Sequence, residues 1–245
     1  MLGRHHFLLS LATVSAVLLP LLEPAGMPVV VALLGVGIGS LIPDVDATDA
    51  TIFHSDISGL SGDTGRIINN LIGPFLPVFG YATKYLMFIP SVKFYNSLFR
   101  NHNFGTEHRA FTHSVLGVLT MTFLTGVYIT VLMALTGELR FFLLFYFLSG
   151  YLVGNILHML EDSVTRSGIV WNSPFSKAGI KGEISTGEDN MKPRFMIYLC
   201  GVVAAATVYT AMIHSNYLGA SIAGLGAVSL IWLVFLSAAG VHRTG

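Results

Sequence analysis

The amino-acid sequence predicts an all-α membrane protein, built as a polytopic bundle of about six spanning helices. Of its 245 residues, 53% are hydrophobic and only 11% are charged, and the mean hydropathy is +0.71. A soluble domain of this size would carry roughly a quarter charged residues. The apolar residues are gathered into six runs, most of them close to the ~20 residues that a helix needs to cross a bilayer. We therefore expect one membrane-embedded domain over residues 1–245.

The six apolar runs pair into three helical hairpins. Turn-forming residues separate the members of each pair, at 20–26, 136–138 and 214–216. The predicted spans are 6–22, 27–42, 111–136, 139–161, 195–213 and 217–240. A signal peptide over the first 25 residues is the alternative for the first span, but no small-residue cleavage site follows it. Small residues in the fourth and sixth spans predict sites of close helix packing within the bundle, at Gly150 to Gly154 and Gly219 to Gly226.

The positions of the basic residues predict the orientation of the bundle. Twelve of the thirteen Lys and Arg residues lie on the face opposite the hairpin turns, and only Arg140 lies on the turn side. That polar face carries both termini, segment 43–110 and loop 162–194. Because the cytoplasmic loops of membrane proteins are rich in Lys and Arg, the polar face should be cytoplasmic. The chain has no basic tract, and no nucleic-acid partner is expected.

One more apolar stretch lies between the second and third spans. Residues 71–90 are long enough for a seventh span, but Pro74, Pro77, Gly80 and Lys84 lie within them. The residues that follow, 93–100, mix aromatic and basic side chains, as segments in the membrane interface do. We expect an interfacial or re-entrant segment near 67–105, within the insertion 43–110. A true crossing is the alternative, and it would put the polar residues before and after it on opposite sides.

Four short polar clusters interrupt this apolar sequence, and each adjoins the end of a predicted span. They are Arg4-His5-His6, Pro43-Asp44-Val45-Asp46, Glu107 to Ser114, and His158 to Asp162. When the six spans are laid through a bilayer in alternating directions, all four clusters reach the same face. His158 and Asp162 are four residues apart, so one face of a helix carries both side chains. This convergence predicts a single polar site at the membrane surface.

The residue types in these clusters predict a metal centre. Asp44 and Asp46 would repel each other without a nearby cation, and carboxylates at an apolar boundary typically mark function. Pro43 should hold Ile42 in an extended conformation and so end the second span before the carboxylates. The single cysteine, Cys200, lies in an apolar run, so a cysteine-based zinc site is excluded. The expected ligands are His6, Asp44, Asp46, His113, His158 and Asp162.

This mixed nitrogen and oxygen ligand set suits a divalent transition metal. Zinc is favoured, manganese and iron are the alternatives, and there are enough ligands for one or two ions. A metal of this kind makes hydrolysis the natural reaction class, because it can activate water and polarise a phosphoryl or acyl oxygen.

Further residues of the clusters are candidates for catalysis. Arg109 offers a planar fork of donors to an anionic substrate group. Glu161 or His108 could carry protons, and Thr165 supplies a hydroxyl one helical turn beyond the predicted ligands. We expect His108 and Arg109 to lie on a loop that folds back toward His113, because five residues on a continuous helix would separate the two imidazoles.

In this order, the clusters resemble those of the YdjM-like, LexA-binding inner-membrane family of metal-dependent hydrolases. The matching segments are RHHFLLS (4–10), LIPDVD (41–46), EHRAFTHS (107–114) and HMLEDSVTRSG (158–168). The resemblance covers most of residues 4–175 and implies a bacterial or archaeal inner-membrane protein with a metal site. The family's motif positions fall on His6, Asp44, Asp46, His108, Arg109, Thr112, His113, His158, Asp162, Thr165 and Gly168.

The sequence departs from that family pattern in two places. The stretch between Asp46 and His108 is longer than the family's, which suggests a lid or a substrate-binding insertion. The Gly and Glu that usually follow the last motif are matched only loosely by Gly187-Glu188, so Glu188 is not assigned to the site.

These observations predict a membrane-bound metal-dependent hydrolase that cleaves a phosphoester of a lipid or a lipid-linked molecule. Ligands at helix ends lie at the level of lipid headgroups, and the aromatic-rich segment 71–100 could hold acyl chains. A metal or ion transporter is one alternative, but no predicted span has a charged residue at its centre. A non-catalytic scaffold with a structural metal is the other, although a closed zinc site needs only four of the six ligands.

Overall fold

The structure of the protein, a computed structural model, has the all-α polytopic architecture that the sequence predicts. It describes residues 2–60, 62–185 and 191–245. Within these ranges, seven helices are long and apolar enough to cross a membrane. Six of them correspond to the six predicted spans, and the seventh lies in the insertion between the second and third spans.

The described part of the chain contains ten α-helices and one small sheet, joined by loops and short 3-10 turns. The helices are α1 Gly3–Leu18, α2 Leu22–Ala25, α3 Met27–Gly39, α4 Gly62–Ile72, α5 Leu76–Ala82, α6 Ile89–Leu98, α7 Val115–Thr136, α8 Phe141–Ser163, α9 Met191–His214 and α10 Tyr217–Ala238. The strands β1 Gly179–Lys181 and β2 His242–Thr244 pair antiparallel and fasten the C-terminal residues to the loop after α8. A short helical turn joins α1 to α2 in one apolar span, Gly3–Ala25.

The three predicted hairpins are present, and each turn contains a residue with a positive φ. Gly26 (φ 58°) separates α2 from α3, Gly137 (φ 74°) separates α7 from α8, and Ser215 (φ 50°) separates α9 from α10. Glycine adopts this left-handed conformation at little cost, which suits it to the first two turns. The chain therefore reverses its direction within a few residues between the two helices of each pair. All three turns lie at the same end of the bundle.

The end of α3 differs in one respect from the prediction. Ile42 has helical angles (φ −68°, ψ −39°) rather than the extended conformation expected before Pro43, and Pro43–Asp46 forms a 3-10 turn. A proline only disfavours the helical region for the residue before it, and the complete burial of Ile42 in the core outweighs that preference here. The regular α-helix nevertheless ends at Gly39, before both carboxylates, as predicted.

The closest helix contact in the bundle joins α3 to α8, and glycines make it possible. Four glycines lie at this contact, where their neighbours leave no room for a side chain: Gly35, Gly39, Gly150 and Gly154. A methyl group on Gly150 would overlap the carbonyl oxygen of Ala32. Small residues allow membrane helices to approach backbone to backbone, which confirms the packing role predicted for Gly150 to Gly154.

Residues 65–98 form one long, interrupted helical segment of 34 residues. It comprises most of α4, then α5, a π-helical stretch at Thr83–Phe88, and α6. Near its start, Asn69 Oδ1 accepts a hydrogen bond (2.8 Å) from the backbone N–H of Ile57. Near its end, the ring of Tyr95 packs 5.6 Å from that of Phe111. Ile57 and Phe111 belong to the loops that adjoin the predicted site, so both ends of the segment lie on the site face.

Contacts across this segment support an interfacial or re-entrant path rather than a crossing. Asp46, which precedes it, accepts hydrogen bonds from Arg109 and Thr112, which follow it. Two residues in contact cannot lie on opposite faces of a bilayer. Although residues 65–98 have the length and composition of a span, the chain therefore returns to the face from which it starts.

We predict that cysteines on the two sides of this segment react with a membrane-impermeant thiol reagent from the same side of the membrane. Suitable variants are Ser55→Cys and Thr106→Cys, made with Cys200→Ser to remove the buried native thiol. Ser215→Cys, in a hairpin turn, should react only from the opposite side. Labelling of positions 55 and 106 from different sides in inverted and right-side-out vesicles would show a true crossing.

We also predict that Gly150→Ala and Gly154→Ala destabilise the bundle by about 1–3 kcal/mol each, because an added methyl group overpacks the contact between α3 and α8. The measurement is thermal unfolding of the detergent-purified protein. Gly226→Ala is the matched control, because Gly226 is a helical glycine with no neighbouring atom within 4 Å of an added Cβ. Equal stabilities of all three variants would contradict the packing role.

Candidate metal centre

Four elements bring the predicted clusters together at one end of the bundle. His6 lies in the second turn of α1, Asp44 in the 3-10 turn after α3, and His113 just before α7. His158 and Asp162 lie in the last two turns of α8. Apart from Asp44, these side chains are almost completely buried, with exposed fractions of 0–1%. The convergence predicted from the sequence is therefore present, and the carboxylates and imidazoles are held away from water.

Two local interactions set the positions of the ligands on α7 and α8. The side chain of Ser114 caps α7 by accepting a hydrogen bond (3.1 Å) from the backbone N–H of Gly117. At the end of α8, the hydroxyl of Thr165 donates to the carbonyl oxygen of Asp162 (2.7 Å) and closes the last turn. His113 and Asp162 are thus held by the ends of their helices.

Two of the three imidazoles have Nδ1 hydrogen-bonded by a group outside the centre. His158 Nδ1 lies 2.7 Å from the backbone carbonyl oxygen of Ser40, and His113 Nδ1 lies 3.1 Å from the hydroxyl of Thr112, whose proton is donated elsewhere. These acceptors favour the tautomer in which Nδ1 carries the proton and Nε2 presents its lone pair. Metal-binding histidines have this arrangement. His6 Nδ1 lies 2.7 Å from Glu161 Oε2, but the pair lacks the geometry of a hydrogen bond.

The Nε2 atoms face one another and two carboxylates. His113 Nε2 and His158 Nε2 are 3.3 Å apart, and they lie 3.6 and 3.5 Å from Asp44 Oδ1. They lie 3.4 and 3.7 Å from Asp162 Oδ2. His6 Nε2 lies 3.6 Å from Asp162 Oδ1, and the His6 ring stacks on that of His158. Ligands of a tetrahedral zinc ion with bonds of ~2.0 Å are separated by roughly 3.3 Å, so the spacing suits a metal.

The described residues contain three overlapping groups that could hold an ion. They are His6-Asp44-His158, Asp44-His108-His113, and His113-His158-Asp162. Five of the six predicted ligands belong to these groups, and His108 joins them. Asp44 is shared by the first two groups, so room for one or two ions remains as the sequence suggested.

Asp46 is the predicted ligand that the structure places differently. Its Oδ1 lies 2.8 Å from His108 Nδ1, and its Oδ2 accepts hydrogen bonds from Thr112 Oγ1 (2.7 Å) and from the backbone N–H of Arg109 (3.0 Å). Oδ2 also lies 3.5 Å from His113 Nδ1, on the side of the ring that faces away from the centre. Protein donors surround both oxygens, which favours an orienting role for Asp46 over direct ligation.

Arg109 makes internal contacts that the sequence did not predict. Its guanidinium donates to Asp162 Oδ1 (2.9 Å), to the hydroxyls of Thr165 (3.3 Å) and Ser167, and to the carbonyl oxygen of Gly168. The guanidinium thus holds one oxygen of Asp162 while the other faces the imidazoles. These internal partners occupy the fork that was expected to bind an anionic substrate group. Arg109 itself has a positive φ (66°), as expected of a tightly folded loop.

The remaining catalytic candidates differ sharply in exposure. Glu161 is fully buried, where it accepts a hydrogen bond (3.0 Å) from Ser10 and its Oε2 lies 2.7 Å from His6 Nδ1. His108 is about half exposed, with its side chain 47% accessible, and it lies on the predicted fold-back loop. A proton carrier must exchange with water, so this geometry favours His108 over Glu161. The hydroxyl of Thr165 is buried and serves the end of α8.

The electrostatics of the centre favour a cation. Burial by itself would lower the pKa of the His113 imidazole, but hydrogen bonds to Asp162, Asp44 and Asp46, together with the charge of Asp46, raise that pKa well above its usual value. Carboxylates that attract a proton to His113 also attract a metal ion, which would displace that proton.

Several functional contacts could not be recognised in the sequence. The backbone carbonyl of Ser40, the hydroxyl of Ser10 and that of Ser167 all touch residues of the centre. Serines are common in membrane helices and loops, so these three could not be singled out. Only the family motif that ends at Gly168 pointed to one of these regions. Gly168 has a positive φ (61°), and a Cβ there would overlap the carbonyl oxygen of Ile180. Glu188, left unassigned above, lies outside the described residues.

The fold and the four clusters correspond to a known family. The model of the YdjM inner membrane protein family matches residues 1–242, essentially the whole chain. The chain belongs to this family. The YdjM-family protein is thus a multi-pass inner-membrane protein, as its motifs and its apolar helices indicate. Neither the curated proteins nor the solved structures include a significant match to it.

We predict that the two aspartates of the PDVD turn differ in their effect on metal affinity. Asp44→Asn should abolish binding of a divalent ion, because Asp44 faces the Nε2 atoms. Asp46→Asn and Glu161→Gln should weaken binding about 10–100-fold, the usual effect of losing an orienting partner. The measurement is competition with a metal-binding dye in detergent. Complete loss of binding in Asp46→Asn, with binding retained in Asp44→Asn, would reverse the two roles.

Proposed function

We propose that this YdjM-family protein is a metal-dependent hydrolase that cleaves a phosphoester of a membrane lipid or a lipid-linked molecule. The observation that carries this proposal is the convergence of three imidazoles on two carboxylates, with the Nδ1 atoms of His158 and His113 hydrogen-bonded outside the centre. That arrangement brings together side chains from four separate elements, and it leaves the Nε2 lone pairs pointing inward. A purely structural polar cluster has no need for such oriented lone pairs.

The donor set fits zinc best, with manganese or iron as alternatives. His113, His158, Asp44 and Asp162 would hold the ion, with His6 beside them. Imidazole nitrogen and carboxylate oxygen at these separations are the ligands of catalytic rather than cysteine-based zinc sites. When bound, the ion would supply Lewis acidity for hydrolysis at a phosphoryl group.

The pair formed by His108 and Asp46 is positioned to move a proton. Asp46 accepts the Nδ1 proton of His108 (2.8 Å), which leaves His108 Nε2 as a base at the exposed edge of the centre. A histidine oriented by a carboxylate is a common general base. Asp44, whose side chain is 17% exposed, lies at the same edge. Water and the scissile bond of a substrate would reach the centre from this side.

The location of the centre supports a substrate that belongs to the membrane. The ligands lie at the ends of α1, α3 and α8, on the face to which the basic residues belong, and α7 begins beside His113. A phosphoester in a lipid headgroup lies at that level of the bilayer. The same distribution of basic residues supports a centre that faces the cytoplasm. Because the ionisable residues are gathered at one end of the helices, the geometry favours hydrolysis over transport.

We predict that the purified protein contains about one or two zinc or manganese ions per chain, and that His158→Ala lacks them. Elemental analysis of detergent-purified protein measures this content. His214→Ala, which changes a histidine in a hairpin turn on the other face, is the matched control and should keep the metal.

The same variants test the reaction. His108→Ala should retain the metal but lose about 100-fold or more of the hydrolysis rate toward phosphatidic acid, as expected when a general base is removed. A wild-type protein without metal would end the metal-centre proposal. Metal content without any hydrolysis, together with metal flux in proteoliposomes that requires Asp44, would favour a transporter instead.

A further inference from the structure

Several lateral cavities open between the described helices, and they differ in their relation to the candidate metal centre. One of them, ≈ 560 Å³, lies among α1, α3, α8 and α10. A second, ≈ 450 Å³, lies between α5, α7 and α8 and reaches Arg140 on the opposite face.

The third cavity, a cleft of ≈ 520 Å³, lies between α6 and α7. It extends along α7 from Leu116 to Leu124, a length of roughly 12 Å at 1.5 Å per residue. Leu116 lies one turn from His113 along the chain. On the other wall, the ring of Tyr95 packs against Phe111 (5.6 Å), which is two residues before His113. The inner end of this cleft therefore adjoins the segment that carries a predicted metal ligand.

The polarity of the cleft changes along its length. Midway along the cleft, Tyr95 and Thr120 share a hydrogen bond between their hydroxyls (2.9 Å). Beyond this pair, the end furthest from the centre is lined by the apolar side chains of Leu86, Phe123 and Leu124. In a lipid, the ester groups likewise lie between the headgroup and the hydrocarbon chain.

The mouth of the cleft faces the hydrocarbon of the membrane. Four large apolar side chains at the mouth are 53–69% exposed: Leu86, Phe94, Leu119 and Phe123. In an inner-membrane protein, the medium in contact with these side chains is lipid. An apolar cleft of this size between the helices of a bundle is typical of a site for an apolar ligand.

We propose that the cleft between α6 and α7 binds one hydrocarbon chain of the lipid substrate, with the chain's ester end at Tyr95 and Thr120. This inference rests on the proposed function, and it adds the position of the substrate and a requirement for a long chain. The headgroup phosphoester of such a lipid lies toward the polar face, beside His113. Segment 67–105, which forms one wall of the cleft, is then a substrate-binding insertion.

Photo-crosslinking in nanodiscs tests the cleft without relying on activity. The probe is phosphatidic acid with a diazirine in its acyl chain, present at a low fraction in phosphatidylcholine. In the wild type, adducts should concentrate on α6 and α7. Thr120→Trp, which fills the middle of the cleft, and Leu119→Trp, which narrows the mouth at an exposed position, should each remove most of them. Leu225→Trp, in the cavity among α1, α3, α8 and α10, is the matched control and should leave them unchanged.

Chain-length dependence of hydrolysis provides the second measurement. Both tryptophan variants in the cleft should lower kcat/KM for long-chain phosphatidic acid about tenfold or more, and leave that for glycerol 3-phosphate and the metal content unchanged. Adducts spread evenly over all membrane-facing helices, or full activity of both variants toward the long-chain substrate, would overturn the cleft assignment. If the wild type hydrolyses neither compound, the proposed function fails, and the crosslinking pattern still decides the cleft.

Discussion

The close packing of α3 against α8 is the contact on which the metal centre depends. Glycines on both helices allow the backbones to touch, and this brings the carbonyl oxygen of Ser40 to His158 Nδ1 (2.7 Å). The same approach puts Asp44, four residues after Ser40, 3.5 Å from His158 Nε2. One backbone acceptor thus orients the imidazole, and one carboxylate faces it. With side chains in place of the glycines, the helices would separate, and this part of the centre would not form.

Burying several carboxylates at one place costs free energy, and hydrogen-bond donors around them offset part of that cost. The guanidinium of Arg109 holds one oxygen of Asp162, while His108, Thr112 and the backbone of Arg109 surround Asp46. Unpaired carboxylates in an apolar setting are costly, so these donors determine which carboxylate oxygens remain available. Only Asp44 and one oxygen of Asp162 then face the imidazoles without a cationic side chain between. The proposed divalent cation would complete this balance of charge.

Much of the candidate site could be predicted because its residues occupy the ends of apolar segments. The spacing of His158 and Asp162 determines that they share a face of α8, whatever the rest of the fold. The contacts of Asp46 and Arg109 could not be predicted from spacing along the chain. Asp44 and Asp46 look equivalent in the sequence, and only the loop that carries His108 and Thr112, folded back from 60 residues away, distinguishes them. Arg109 likewise finds its acceptors in a loop beyond α8.

By itself, the sequence determined the membrane class, the three hairpins and the common face of the four clusters. These properties follow from hydrophobicity and spacing, which act locally along the chain and are set by the thickness of the bilayer. The family followed from the resemblance of the four motifs. Only the tertiary structure decided the path of residues 65–98, because a proline-interrupted apolar helix is compatible with either a crossing or a return. The contact between Asp46 and Thr112 resolves that choice, since it joins the two sides of the segment directly. Long-range pairing of buried polar groups is thus what converts four separate motifs into one centre.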